Sequence, residues 1–331
     1  MEQYYSIRHV TRYRYSSPIR ESVMQLYMQP RSESGQWLRS FQIVTQPRAQ
    51  LFAYTDHLGN AVYHFNIPQE HSMLIVDMTA TVETGARSEP PICVASGEWD
   101  QLLADQRAGK EYDMLMQSAM TQPSALLEKF IADHELSYAA VRGRFDPMAA
   151  LRHLNSTLYK ALDYDREVTD VDSVMDVALE KRKGVCQDFA HVMISIARGW
   201  GVPCRYVSGY VFSDRSSRDR SVPDSTHAWV EAHIPSVGWV GFDPTNNHIT
   251  ADRHIAVAVG RDYTDVPPSK GVYTGDAQGE LAVAVKVTPT RAPDRHEDFL
   301  RIVRPMRPDR SAPRDELEHM RDAQHQQQQQ Q

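Results

Sequence analysis

Polar and apolar residues alternate with a period of two through much of the first 85 positions. In YYSIRHVTRYRY, Tyr5, Ile7, His9, Thr11, Tyr13 and Tyr15 fall on one side and Ser6, Arg8, Arg12 and Arg14 on the other, interrupted by Val10. That is the pattern of a half-buried strand. LFAYTDHLGNAVYHFNIP reads as a hairpin, because Gly59 and Asn60 supply turn residues between two runs rich in aromatic and β-branched side chains. In HSMLIVDMTATVET, Leu74, Val76, Met78, Ala80 and Val82 share a face, which predicts a further strand.

GARSEPPICVASGEWD has the Gly, Ser and Pro content of a linker. Beyond it the period lengthens to that of helices. TQPSALLEKFIADHEL is periodic, and FDPMAALRHLNSTLYKAL opens with Asp146 as N-cap and Pro147 at the first helical position. DSVMDVALEKRK predicts a short helix ended by Gly184, and CQDFAHVMISIARGW another. CRYVSGYVF, THAWVEAHI and GWVGFDP read as strands, the last two joined through residues 235–238, and GELAVAVKVTPT as one more. Helices first and an antiparallel sheet afterwards predict an α+β fold. The expected organisation is an all-β unit over residues 1–85, a linker and helical connection over 86–120, an α+β core over 121–290 and a tail over 291–331. Proline, charge and a terminal glutamine run leave that tail too little to bury, and disorder is expected for most of it.

At 331 residues the chain suits two compact units, at about 150 residues per domain. A net charge of −7 argues against a dedicated nucleic-acid binder, which would show a basic surplus. MEQYYSIRHV lacks the basic and apolar regions of a signal peptide, and no apolar run approaches the roughly 18 residues that span a bilayer. The expected location is the cytoplasm, with no membrane association. Three cysteines, Cys93, Cys186 and Cys204, with no CxxC pair, predict reduced thiols rather than a disulfide framework.

One of these thiols stands out by position. Forward from Cys186, the apolar residues Phe189, Ala190, Met193, Ile194 and Ala197 form a helical stripe with Cys186 at its N-terminal edge. A thiol there feels the positive end of the helix dipole and unpaired backbone N–H groups, which favour thiolate and can hold an oxyanion. Gly184 lets the backbone turn sharply and approach a ligand closely. For Cys204, which opens an apolar strand, and for Cys93 the expectation is a plain structural residue. A nucleophilic thiolate needs a base, and the base an orienting group. His227 begins one strand and Asp243 ends the next, so a hairpin between them brings both side chains to one end of the sheet. Each of the two, alone, is also compatible with a structural role.

GVCQDFAH, CRYVSGYV and THAWVEAHI…GWVGFDPT, in their order and spacing, resemble the core of the transglutaminase-like thiol enzymes over about residues 150–250. Residues 1–85 resemble the β-rich domain that precedes this core in a bacterial subfamily, and VGRDYTDVPPSKGVYTG resembles the segment that follows it. The resemblance implies a papain-like core, with Cys186 as nucleophile, His227 as general base and acid, and Asp243 orienting the imidazole. It implies acyl transfer from a glutamine side chain to an amine, or hydrolysis of amide and peptide bonds, on a peptide or protein substrate. An ATP-grasp-type ligase is a partner that the family alone suggests. Gln187 and Tyr164 are candidates for a supporting or second oxyanion donor.

No cofactor is expected. DYDREVTDVDSVMD is acidic, but its carboxylates do not follow the D-x-D-x-D-G calcium loop. A zinc site from Cys186, Cys204, His191 and His227 lacks CxxC or HxxxH spacing, and a serine hydrolase lacks G-x-S-x-G. Two other readings stay open: a peptidase or amidase, which shares the acyl-enzyme but uses water, and a non-catalytic peptide-binding module that retains the fold. Trp200, Trp229, Trp239, Tyr206 and Tyr210 either line an acceptor pocket or are ordinary core.

Overall fold

The long strand expected at the N-terminus runs further than its alternating stretch. In the computed structural model, which describes residues 2–85, 89–166, 175–213, 219–221 and 225–292, β1 spans Gln3–Leu26. Tyr5, Ile7, His9, Thr11 and Tyr15 are buried along it, and Arg8, Arg12 and Arg14 face outward as the period requires. β2 (Gln36–Gln46), β3 (Phe52–Thr55), β4 (Ala61–Ile67) and β5 (His71–Thr84) follow. β3 and β4 form the expected hairpin around Gly59, which takes φ +77° in the turn. The β5 row of Leu74, Val76, Met78, Ala80 and Val82 is buried throughout. β2 was not legible in the sequence, because most of its side chains stay exposed and only Gln36 and Thr45 are buried along it.

Six helices and the core strands come next: α1 (Glu98–Arg107), α2 (Tyr112–Leu115), α3 (Ala125–Asp133), α4 (Tyr138–Arg142), α5 (Pro147–Ala161), β6 (Asp163–Tyr164), α6 (Met175–Lys181) and β7 (Lys183–Gly184). A seventh helix, α7 (Cys186–Gly199), leads to β8 (Cys204–Val211), β9 (Thr226–Ile234), β10 (Gly238–Asp243), β11 (His248–Ile249) and β12 (His254–Gly260). β13 (Ser269–Thr274) and β14 (Gly279–Thr290) end the described chain. Asp146 caps α5 as predicted, its carboxylate accepting the N–H groups of Met148 and Ala149 with Pro147 in the first turn. α1 begins inside the stretch read as linker, and the tail from residue 293 onward lies outside the described residues.

The fold is α+β. The core sheet is antiparallel in the order β11-β10-β9-β8-β12, and α7 packs on β9 and β8. The strand expected over residues 279–290 forms, but it does not join this sheet. β14 pairs with β1 from Tyr4↔Thr290 to Tyr15↔Gly279, and β13 pairs with β1 from Arg20 to Leu26. The chain therefore returns to its own start, adding to the N-terminal sheet β2-β5-β1-β4-β3 the last two strands among the described residues.

β12 is an edge strand of the core sheet, and the N-terminal unit covers that edge with two side-chain amides. Gln36 Nε2 donates to Ala256 O and accepts from Ala256 N–H on Oε1, both at 2.9 Å. Asn60 does the same at Val259, at 2.8 Å each way. Each amide imitates one residue of a neighbouring strand, so the edge has no free ladder groups at these positions. His9 adds a third tie, its Nδ1 2.8 Å from the Tyr210 hydroxyl.

Candidate active site

Cys186 is the first residue of α7, with Val185 as its N-cap, and is half-buried. The turn that delivers it is set by Asp188, three residues into the helix, whose Oδ2 accepts the Val185 N–H at 2.8 Å. A Cβ on Gly184 would lie 2.6 Å from that same oxygen. Gly184 is thus explained by the close approach of the helix's own cap, not of a ligand. β7 pairs in parallel with β6, which sets Tyr164 opposite Gly184, and Asp165 N–H donates to Gly184 O at 3.0 Å. Tyr164 therefore stands beside the approach to Cys186, and Gln187 follows it as a buried residue.

The predicted apolar stripe of α7 is buried, but so are Gln187, Asp188, His191, Ser195 and Arg198. A helix enclosed on nearly all sides cannot be told from a one-faced helix by periodicity when polar side chains find internal partners. The Arg198 guanidinium does so, donating to the carbonyls of Met114, Cys204 and Arg261.

His227 is the second residue of β9 and Asp243 closes β10, and the hairpin brings them together as expected: His227 Nε2 is 2.8 Å from Asp243 Oδ2. Both are buried. The other ring nitrogen, Nδ1, is buried without a hydrogen-bond partner, and the Cys186 sulfur is close enough to act on the charge of the imidazole. Burial alone would push the His227 pKa down, but the Asp243 carboxylate and the Cys186 sulfur outweigh it and raise it to about 10. Burial would likewise raise Asp243, yet its two histidine neighbours hold it well below the usual carboxylate range.

The sequence reading missed the residues that hold Asp243. Its Oδ1 accepts the backbone N–H groups of Thr245 and Asn246 at 3.1 and 3.2 Å, while its Oδ2 also accepts from Asn246 Nδ2 at 2.8 Å and lies 3.3 Å from His254 Nε2. His254 Nδ1 accepts the Ala251 N–H at 3.3 Å, which leaves the ring proton on Nε2, pointed at the carboxylate. Asn246 could have been found from DPTN, where an amide three residues past an aspartate in a turn folds back on it. His254 gave no such signal. It arrives because residues 250–253 carry the chain from β11 at one edge of the sheet to β12 at the other.

Trp229 lies on the His227 side of β9, with ring centroids 6.2 Å apart and the planes inclined by 29°, and meets His254 edge-on at 5.4 Å. It belongs to a small second core with Val207, Ala256 and Val259, against which Leu58 of the N-terminal unit packs. A Cβ on Gly209 would sit 2.3 Å from Ile255 O and 2.5 Å from the indole, so only glycine leaves room for the ring. Trp200, Tyr206 and Tyr210 are also buried core, and Trp239 is half-buried beneath the Arg205 guanidinium at 4.5 Å.

Cys204 is fully buried, with its thiol pushed up to about 12 by burial. Cys93 is exposed, in contrast to the buried structural role expected of it. His191 accepts the Tyr263 N–H on Nε2 and stacks obliquely on Tyr206. Among the described residues, no three His, Cys, Asp or Glu side chains are grouped so as to hold a metal ion. No helix among them is long and apolar enough to cross a membrane.

Comparison with known proteins bears on the same residues. Residues 5–83 match the bacterial transglutaminase-like N-terminal region, and residues 135–244 match the transglutaminase-like superfamily core, an interval that contains Cys186, His227 and Asp243. An uncharacterised protein of Mycobacterium leprae is 34% identical over 285 residues, covering 85% of this chain and 96% of its own. A protein-glutamine gamma-glutamyltransferase of Pseudomonas aeruginosa is 34% identical over 80 residues, 23% of this chain and 12% of that one. Among solved structures, a candidate cysteine protease from Cytophaga hutchinsonii superposes with a TM-score of 0.65 at 17% identity, over 89% of this chain and 93% of that chain.

Proposed function

The chain belongs to the transglutaminase-like superfamily and carries the bacterial transglutaminase-like N-terminal region, and on that premise we propose that it is a thiol enzyme acting on amide bonds of peptides or proteins. The observation that carries this reading is the buried His227 imidazole, bonded to Asp243 through Nε2, with Nδ1 unpartnered and the Cys186 sulfur close enough to raise its pKa. A ring held so is charged at neutral pH, and a sulfur beside it is the natural counter-ion. Cys186 Sγ attacks the amide carbonyl and forms a tetrahedral intermediate. Its oxyanion faces the N-terminus of α7, where the first backbone N–H groups have no acceptor within the helix. Gln187 and Tyr164 are the proposed sources of a further donor. His227 gives its Nδ1 proton to the leaving nitrogen, the C–N bond breaks, and an acyl thioester remains on Cys186. Asp243, bonded to Nε2, keeps the ring in that orientation throughout.

The thioester is resolved either by an amine, which makes the protein a transferase, or by water, which makes it an amidase or peptidase. The name of the Pseudomonas relative favours the amine. A non-catalytic module has no use for a half-buried cysteine beside a buried His–Asp pair whose carboxylate is held by five hydrogen-bond donors. Mass spectrometry of glutamine-containing peptides incubated with the protein, with and without a primary amine, tests the proposal. Loss of ammonia with addition of the amine identifies a transferase, and loss of ammonia to water or shortened peptides a hydrolase. Unchanged peptides under all conditions, together with no acyl adduct on Cys186 from an activated ester, would refute an enzymatic role.

A further inference from the structure

We infer that Arg220 is a positioning residue that clamps the two halves of the candidate active site together. The thiol is delivered by β7 and α7 and the His–Asp pair by the β9–β10 hairpin; α7 packs on β9, but among the described residues no strand pairing joins β7 to that hairpin. Residues 219–221 bridge them. Toward the His–Asp side, the N–H groups of Arg220 and Ser221 both donate to Asn246 Oδ1, at 2.8 and 3.1 Å. The amide nitrogen of the same Asn246 donates to Asp243 Oδ2 at 2.8 Å and to Ser221 Oγ at 3.0 Å. One asparagine side chain thus fastens the bridging segment directly to the carboxylate that orients His227.

Toward the thiol side, the Arg220 guanidinium reaches the end of α5. Nη1 donates to Tyr159 O at 2.7 Å and to Leu162 O at 3.0 Å, and the planar group lies 3.7 Å above the Tyr159 ring centroid. These are terminal carbonyls of a helix, which carry partial negative charge and lack partners of their own. Leu162 precedes β6, whose Tyr164 is paired with Gly184, two residues before Cys186. The route from Asp243 through Asn246, Arg220, Leu162 and Gly184 to Cys186 is a continuous series of hydrogen bonds and short covalent links. Asp219 fixes the segment from below through its ion pair with Arg253. A second anchor is His248, 3.3 Å away. The planar guanidinium stacks on the Tyr159 ring while one nitrogen serves both carbonyls, and the stacking is what arginine offers and lysine does not.

The inference rests on the thiol reading and refines how that site is held. The test measures three quantities on the full-length chain: alkylation of Cys186 by iodoacetamide at pH 6, turnover of a small activated ester, and the melting temperature. Arg220→Ala is expected to slow alkylation about tenfold, in the range that a displacement of a fraction of an ångström produces between reacting groups. It should lower kcat with KM for the small ester unchanged, and Arg220→Lys should recover part of the rate. Asn246→Ala should lose a similar factor. The double variant should lose no more than the larger single loss, because both residues act through one series of contacts, whereas independent effects would multiply to about a hundredfold. Arg220→Ala that labels and turns over like the parent, or losses that multiply, overturns the clamp and leaves the thiol reading standing. A parent whose Cys186 does not label at pH 6 overturns both.

Discussion

His254 and His227 meet at a single oxygen, Asp243 Oδ2, the first at 3.3 Å and the second at 2.8 Å. The two rings are not equivalent. His227 gains charge from its partners, whereas burial lowers the pKa of His254 and keeps it a neutral donor. His254 therefore fixes the carboxylate without competing for its charge. His254→Phe should keep the edge contact with Trp229 but remove this donor. Ester acylation should fall about three- to tenfold, with a stability loss of about 1 kcal/mol, the net worth of one hydrogen bond. Stopped-flow acylation together with urea unfolding checks both numbers, and an unchanged acylation rate would make His254 a packing residue only.

Asp243→Asn separates an orienting role from a turn-starting one. Asparagine starts turns equally well, so a structural Asp243 would tolerate the change. An orienting Asp243 would not, since an amide stabilises imidazolium poorly and can present a donor to Nε2 in place of an acceptor. The expected loss in turnover is on the order of ten- to a thousandfold, below the roughly ten-thousandfold of the serine-protease triad, because some thiol enzymes use asparagine natively at that place. The alkylation rate of Cys186 at pH 6 should fall with it.

The pH dependence of stability carries a sign that can be checked. His227 has a folded pKa of about 10, above the unfolded value of about 6.5. Its contribution is complete below pH 6.5, shrinks as pH rises from there, and is gone above about 10. Asp243 is depressed, so its contribution is complete above about pH 4 and lost as pH falls through its lower folded value. Between pH 6.5 and 10 the parent should lose more melting temperature than His227→Gln, measured by calorimetry in matched buffers. Parallel curves would mean that the imidazole carries no raised pKa.

The amide caps on β12 make the N-terminal unit part of the stability of the core. Gln36→Ala leaves the N–H of Ala256 without its buried partner, and Asn60→Ala does so to both backbone groups of Val259. Each should cost about 1–3 kcal/mol in unfolding free energy, far more than the few tenths expected for an exposed amide. Denaturant unfolding of both variants with unchanged slope would confirm the assignment, and near-parent midpoints would contradict it.

What was legible in the sequence followed from local rules. The period of β1 and β5, the Asp146–Pro147 helix start and the placement of Cys186, His227 and Asp243 at element ends all depend on neighbours within a few residues. What was hidden depends on long-range pairing. β14 alternates like any strand, and nothing in it says that its partner is β1 rather than the core sheet. His254 sits eleven residues past Asp243 across a sheet edge, and Arg220 lies in a polar, glycine-free connection whose side chain finds its partners only when α5 is in place. Cys93, read with Cys204 as structural, is exposed because the chain around it runs along the surface.

That exposed cysteine supplies the internal standard for the most direct test of the account. Brief iodoacetamide treatment of the native protein at pH 6, followed by peptide mapping, compares three thiols in one molecule: exposed Cys93, buried Cys204 and Cys186 beside His227. An ordinary thiol is almost entirely protonated at that pH and reacts slowly however exposed it is. The account predicts that Cys186, although half-buried, labels at least about tenfold faster than Cys93, that Cys204 stays unlabelled, and that the advantage of Cys186 disappears in His227→Gln. Labelling of Cys186 no faster than Cys93 in the folded parent would contradict it.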